Sequence, residues 1–207
     1  TLHRTRSETP ARSLPVLQRS LVMGIVNATP DSFSDGALYL RSRAAIDHGV
    51  ADFRRVRERV RARLLLVGDG YTSAECAAKF GPDARRMADA LFRHEPFASR
   101  RSDFNVWGLC PPSQASGILR PSNGTQRRTP VGATYDAFGS ERYVLTFDNR
   151  DLRDVAAWAP YEFIAILVNA ATYGGGGIYG TFATVAVDSD WADYLFVHEF
   201  GHHFAGL

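Results

Sequence analysis

Residues 190–207 read DWADYLFVHEFGHHFAGL, and this stretch decides how the rest of the sequence is interpreted. Residues 188–190 (DSD), which overlap the start of this stretch, can cap the free amides of a helix. Their acidic side chains suit the positive end of the helix dipole. Spacings of three and four, typical of one helical face, connect Trp191, Leu195, His198, His202 and Ala205. The pattern predicts a half-buried helix.

Two histidines and a glutamate of this helix have the spacing HExxH: His198, Glu199 and His202. Residues four apart lie about one turn apart on one helical face, so both imidazoles can bind one zinc ion. Glu199 then lies beside the metal, where it can take a proton from a zinc-bound water that attacks a carbonyl. The alternative is an ordinary amphipathic helix with polar histidines. His203 points to another side of the helix and is expected to face solvent or to support a ligand.

Composition limits the remaining possibilities. The 207 residues are 45% hydrophobic and 22% charged, which suits one soluble domain, or one domain with a tail. A net charge of +2 is too small to indicate a nucleic-acid partner. Arginines are dense over residues 54–63, but Asp52 and Glu58 lie among them, so a solvated helix face is preferred to a phosphate-binding patch. The sequence has no run of about 18 apolar residues, so no membrane partner is expected.

The first 20 residues contain arginine, proline and serine without an apolar period, which predicts a disordered tail or linker and shows no secretory signal. Cys76 and Cys110 are too far apart for a CxxC metal site. They are interpreted as two buried thiols, with one disulfide as the alternative.

Residues 21–50 resemble the opening strand and first loop of dihydropteroate synthase, a pterin-binding (β/α) barrel. The resemblance is clearest in MGIVN at 23–27 and TPDSFSDG at 29–36, while Ala37 replaces an expected glycine. It implies that Asn27 would lie near the pyrophosphate and metal of a pterin substrate. However, a barrel needs about 200–250 residues, and no strand–helix repeat follows. A plain strand, turn and helix, the helix covering about residues 42–63, is therefore preferred to a pterin site.

The pattern after residue 63 is that of a mixed α/β fold. Short apolar runs predict strands, and capping residues predict helices opening at Thr72 or Ser73 and at Asp148 or Asn149. The strands are expected at 64–67, 103–109, 142–147, 163–168 and 178–187. Residues 111–130 form a long polar connection. The four glycines at 174–177 are predicted to be a flexible turn, because no GK[ST] follows to make a phosphate loop.

The last predicted strand leads directly into the HExxH helix. A strand at a sheet edge beside such a helix can pair with an extended peptide through main-chain hydrogen bonds. A peptide or protein substrate is expected there, with the glycines at 174–177 giving it room or letting a flap move.

Residues 63–207 also resemble the IgA-peptidase family of zinc metallopeptidases. Five segments carry the resemblance: LLLVGDGYTSAE, SDFNVWGL, TPVGATYDAFG, YGGGGIYG and VAVDSDWADYLFVHEFGHHFAGL. It implies a zincin-like domain with a mixed sheet that hydrolyses peptide bonds, with zinc on His198 and His202 and Glu199 as general base. It also suggests a secreted or periplasmic location.

A catalytic zinc ion needs three protein ligands. The resemblance implies an acidic third ligand downstream of Leu207, so the domain is expected to be truncated in the sequence as given. The predicted organisation is a tail (1–20), a strand–loop–helix segment (21–62) and the peptidase domain (63–207). The hypotheses are a zinc-dependent endopeptidase, a noncatalytic relative with the same fold, and a fragment that binds a pterin. The sequence does not indicate the oligomeric state.

Overall fold

The computed structural model describes residues 62–206. The tail, the pterin-related segment and most of the helix predicted over residues 42–63 lie outside the described residues. The last two residues of that predicted helix are instead the first two of a strand, because Ala62 is buried and pairs with Phe104.

A five-stranded mixed sheet forms the centre of the fold, and its strands lie in the order β2 (Phe104–Leu109), β1 (Ala62–Asp69), β5 (Phe163–Val168), β7 (Phe182–Ala186) and β6 (Gly175–Ile178). Four strands are parallel, and β6 runs antiparallel to β7 at one edge. β1 and β5 are central and buried on both faces, which explains their continuous apolar runs. The predicted mixed α/β architecture is confirmed. A separate antiparallel pair consists of β3 Ala133–Thr134 and β4 Leu145–Thr146.

Four α-helices accompany the sheet: α1 Ser73–Ala78, α2 Phe80–Leu91, α3 Asn149–Ala156 and α4 Ala192–Ala205. The Thr72 hydroxyl accepts a hydrogen bond from the Glu75 amide, while the Glu75 carboxylate accepts one from the Thr72 amide, a reciprocal cap that starts α1 as predicted. At the start of α3, Asp148 makes no side-chain cap, so the cap predicted there is not formed. At the start of α4 the N-cap residue is Trp191, which makes no side-chain cap, but the hydroxyl of Ser189 accepts a hydrogen bond of 3.3 Å from the Trp191 amide. None of the helices in this part of the chain is both long and apolar enough to cross a bilayer.

The two faces of the sheet are covered differently. Helices α2 and α4 pack on one face, where their buried side chains meet Leu64, Leu66 and Leu167. The other face is covered by α3 and by the segment from Val131 to Leu145. This arrangement leaves α4 beside the edge strand β6.

Three predictions about local structure are wrong. The run 174–177 is not a flexible turn, because residues from Gly175 onward form β6 and pair with β7. The strand predicted over 178–187 is divided by a turn at Gly180, whose φ of +64° reverses the chain between β6 and β7. Cys76 and Cys110 are joined by a disulfide that links α1 to the end of β2.

Candidate metal centre

Charged side chains in α2 and next to its two ends fix the start of α4. Arg86 and Arg93 contact the two carboxylate oxygens of Asp193 at 3.1 and 2.5 Å. Lys79 lies 3.0 Å from Asp188, in the connection that precedes α4. Arg86 also donates to the carbonyl of Val187. These contacts set the direction in which α4 returns across the sheet.

The candidate ligands lie in the C-terminal half of α4. The Nε2 atoms of His198 and His202 are 3.1 Å apart, and their rings are nearly perpendicular. Two nitrogens bound to a tetrahedral zinc ion at about 2.0–2.1 Å would be separated by about 3.3 Å. The two imidazoles therefore fit one zinc ion. Among residues 62–206, the only cluster of three metal-binding side chains is formed by these histidines and Glu199, whose ligand atoms all lie within 4.8 Å of one another.

Glu199 is a half-buried carboxyl group. Burial raises its pKa from 4.5 to about 8, and the positive charge of Arg142 opposes that rise. Such a group can exchange a proton near neutral pH, which is what a general base and acid requires. A cation held by the two imidazoles would favour its charged form.

His203 does not face solvent, so the first of the two alternatives expected for it is wrong. It is 1% exposed, and its Nε2 atom accepts a hydrogen bond of 3.1 Å from the amide of Ile164 at the start of β5. Burial lowers its pKa to about 4. His203 thus ties the end of α4 to the sheet. At the other end of the helix Trp191, expected on the half-buried face, is 64% exposed.

β6 lies directly against α4 beside the histidines. A Cβ atom on Gly177 would lie 2.3 Å from the carbonyl oxygen of Glu199 and 2.7 Å from Cβ of His202. A Cβ on Gly176, which faces the other way, would meet Leu145 at 2.7 Å. Because Gly176 and Gly177 have no side chains, β6 can pack closely against α4 on one face and against the segment around Leu145 on the other.

Sequence reasoning missed three side chains near the cluster. Tyr194 stacks on His198 with ring centroids 5.9 Å apart, and its position four residues earlier on the helix was a signal that could have found it. Tyr173 and Arg142 interact electrostatically with Glu199. These two come from segments distant in the sequence, so local spacing carried no sign of them.

Comparison with known proteins gives one family. Residues 54–207, most of the chain, match the family model described as IgA Peptidase M64. No curated protein matches the chain. The matched range contains the whole sheet, α4 and the cluster of His198, Glu199 and His202. The chain therefore belongs to the IgA peptidase M64 family.

Proposed function

We propose that this protein is a zinc-dependent endopeptidase with a zincin-like catalytic domain. His198 and His202 hold the metal, and Glu199 is the general base. The observation that carries the proposal is the 3.1 Å separation of the two Nε2 atoms with the Glu199 carboxylate beside them. Membership of a peptidase family supports the same reaction class.

A zinc ion bound at this position would lower the pKa of a water molecule and polarise the scissile carbonyl. Glu199 takes the proton of the attacking water and passes it to the leaving amine. The two histidines would fill two of the three protein positions of a catalytic zinc site.

The substrate in this proposal lies along the outer edge of β6. Gly175 donates to the carbonyl of Arg142 and accepts from the amide of Val144 on that edge. Since alternate residues of a strand direct their main-chain groups to the same side, Gly177 presents its amide and carbonyl there too. Within the described part of the chain no other segment pairs with Gly177 on that side. An extended peptide bound there would pass beside His202, next to the metal.

Metal content and peptide cleavage by the natural full-length protein test the proposal. We expect one zinc ion per chain, lost in His198→Ala and His202→Ala and kept in the exposed control His94→Ala. Glu199→Ala should keep zinc and lose cleavage of a peptide library. Cleavage that survives Glu199→Ala would contradict the proposal. Zinc binding without cleavage in the unaltered protein would favour the noncatalytic relative.

A further inference from the structure

We propose that Tyr173 is a further catalytic residue, whose phenol donates a hydrogen bond to the substrate carbonyl oxygen as the carbonyl carbon becomes tetrahedral. The inference rests on the proposed peptidase function and adds a group to it. The phenol keeps its proton throughout, so its contribution is electrostatic.

The residues on both sides of Tyr173 are held by the fold. The hydroxyl of Thr172 accepts a hydrogen bond of 3.0 Å from Arg120, and the carbonyl of Thr172 accepts one of 2.6 Å from the phenol of Tyr135. On the other side, the carbonyl of Gly174 accepts a hydrogen bond of 2.9 Å from the amide of Ala186 in β7. Tyr173 therefore projects from a backbone that is fixed before any substrate arrives, as a preorganised donor requires.

The direction of β6 places Tyr173 on the side of the metal centre. A Cβ on Gly177 would meet Glu199 and His202, and a Cβ on Gly175 would meet Leu195 at 3.0 Å, so these positions face α4. Tyr173 lies two residues before Gly175, and side chains two apart along an extended segment project to the same face. Its side chain is 42% exposed.

The charged groups near the Tyr173 phenol are consistent with a place beside the candidate metal centre. Burial and then the negative charge of Glu199 raise the pKa of Tyr173, while Arg142 lowers it and Tyr194 raises it further. Glu199 and Tyr173 are thus within electrostatic range of each other. A phenol with a raised pKa remains a donor at the pH at which the enzyme works.

The expected loss of activity on removing the Tyr173 hydroxyl follows from its proposed role as a hydrogen-bond donor to the oxyanion. Removing one donor to a developing oxyanion lowers kcat by about 10²–10³-fold in a known peptidase. Binding of the uncharged ground-state carbonyl depends less on such a donor, so KM should change little. A residue that only supported the fold would instead change metal content or stability.

The test compares Tyr173→Phe with Tyr161→Phe in the zinc-loaded full-length protein. Tyr161 packs on the opposite face of the sheet, in the cluster beneath α3, and serves as the matched control. For Tyr173→Phe we expect kcat to fall about 10²-fold with KM and zinc content unchanged. Affinity for a peptide phosphonate, a tetrahedral anion, should fall by a similar factor, while affinity for the product peptide stays the same. A fall in kcat of less than about threefold, or an unchanged phosphonate affinity, would overturn the inference.

A second readout does not depend on turnover. In protein labelled with ¹³C-tyrosine, the ring signal missing from Tyr173→Phe identifies Tyr173. Loading with Co²⁺, which binds nitrogen and oxygen ligands as zinc does, should shift that signal strongly and leave the Tyr161 signal unmoved. Cobalt bound with an unshifted Tyr173 signal would overturn this inference alone. Failure to bind cobalt or zinc would overturn the proposed function and the inference together.

Discussion

The main chain of Gly177 lies against the main chain of Glu199, so closely that a Cβ atom on Gly177 would be 2.3 Å from the Glu199 carbonyl oxygen. The strand β6 and the side of α4 that carries His202 are therefore in direct main-chain contact. Any side chain at residue 177 would separate the edge proposed to hold the substrate from the cluster proposed to cleave it.

Gly177→Ala should lower the free energy of unfolding by about 1–3 kcal/mol, as overpacking of a close contact does. Because the added atom presses on Glu199 and on Cβ of His202, zinc affinity should fall as well. Urea unfolding and metal-buffered titration measure the two effects. Gly124→Ala is the control, because Gly124 has a positive φ that strains an alanine, but it has open space around it. That variant should lose stability without losing zinc affinity, and an equal loss of affinity in both would contradict the prediction.

The buried carboxyl of Asp69 should make stability fall as the pH rises from about 4 to about 6. It accepts hydrogen bonds from Thr129 and Ala133 at 2.7 and 2.9 Å, and burial raises its pKa from 3.8 to about 6. Between these values the native state binds more protons than the unfolded state, so deprotonation costs about 3 kcal/mol of stability.

Asp69→Asn does not titrate, so the difference in unfolding free energy between it and the unaltered protein isolates this carboxyl. Relative to the variant, the unaltered protein should be less stable at pH 7 than at pH 4. A difference that stays constant over this range would show that Asp69 does not titrate in the predicted window.

The buried imidazole of His203 should make stability fall as the pH falls, which is the opposite of the pH dependence expected from Asp69. Burial holds its pKa near 4, below the value of 6.5 expected in the unfolded chain. Below pH 6.5 the unfolded state therefore binds more protons, and the native state loses about 3 kcal/mol as the pH falls to about 4. His203→Gln keeps an acceptor for the amide of Ile164 but cannot be protonated. The unaltered protein should lose stability relative to this variant on acidification, and a stability difference that stays constant between pH 7 and pH 4 would contradict the prediction.

The disulfide between Cys76 and Cys110 closes a loop with a sequence separation of 34. Replacing both cysteines by serine should lower the free energy of unfolding by about 2–4 kcal/mol, mainly because the unfolded chain gains freedom. Chemical denaturation of the oxidised protein and the double variant measures the change. Two reactive thiols in the unfolded, unreduced protein would show that the bond is not formed.

Local signals in the sequence were sufficient for several elements. The runs in β1 and β5 are apolar without a break because both faces of a central strand are buried. The Thr72–Glu75 cap depends on residues three apart, and the His198–Glu199–His202 cluster depends on residues within one turn of a helix. In each case the groups that interact are neighbours along the chain.

The glycine run, the disulfide and His203 were misjudged for the opposite reason. Whether Gly175 begins a strand depends on pairing with Val185 in β7, and whether His203 is buried depends on the amide of Ile164. Tyr173 comes near Glu199 only because Arg120, Tyr135 and β7 hold the residues beside it.

The sequence alone thus determined the central strands, the first helix cap and the clustering of His198, Glu199 and His202, because each arises from groups close together in the chain. Only the tertiary structure decided which edge faces the metal centre and which side chains surround Glu199. Those features depend on long-range packing, in which a missing Cβ atom at Gly177 matters as much as the residues that carry the chemistry.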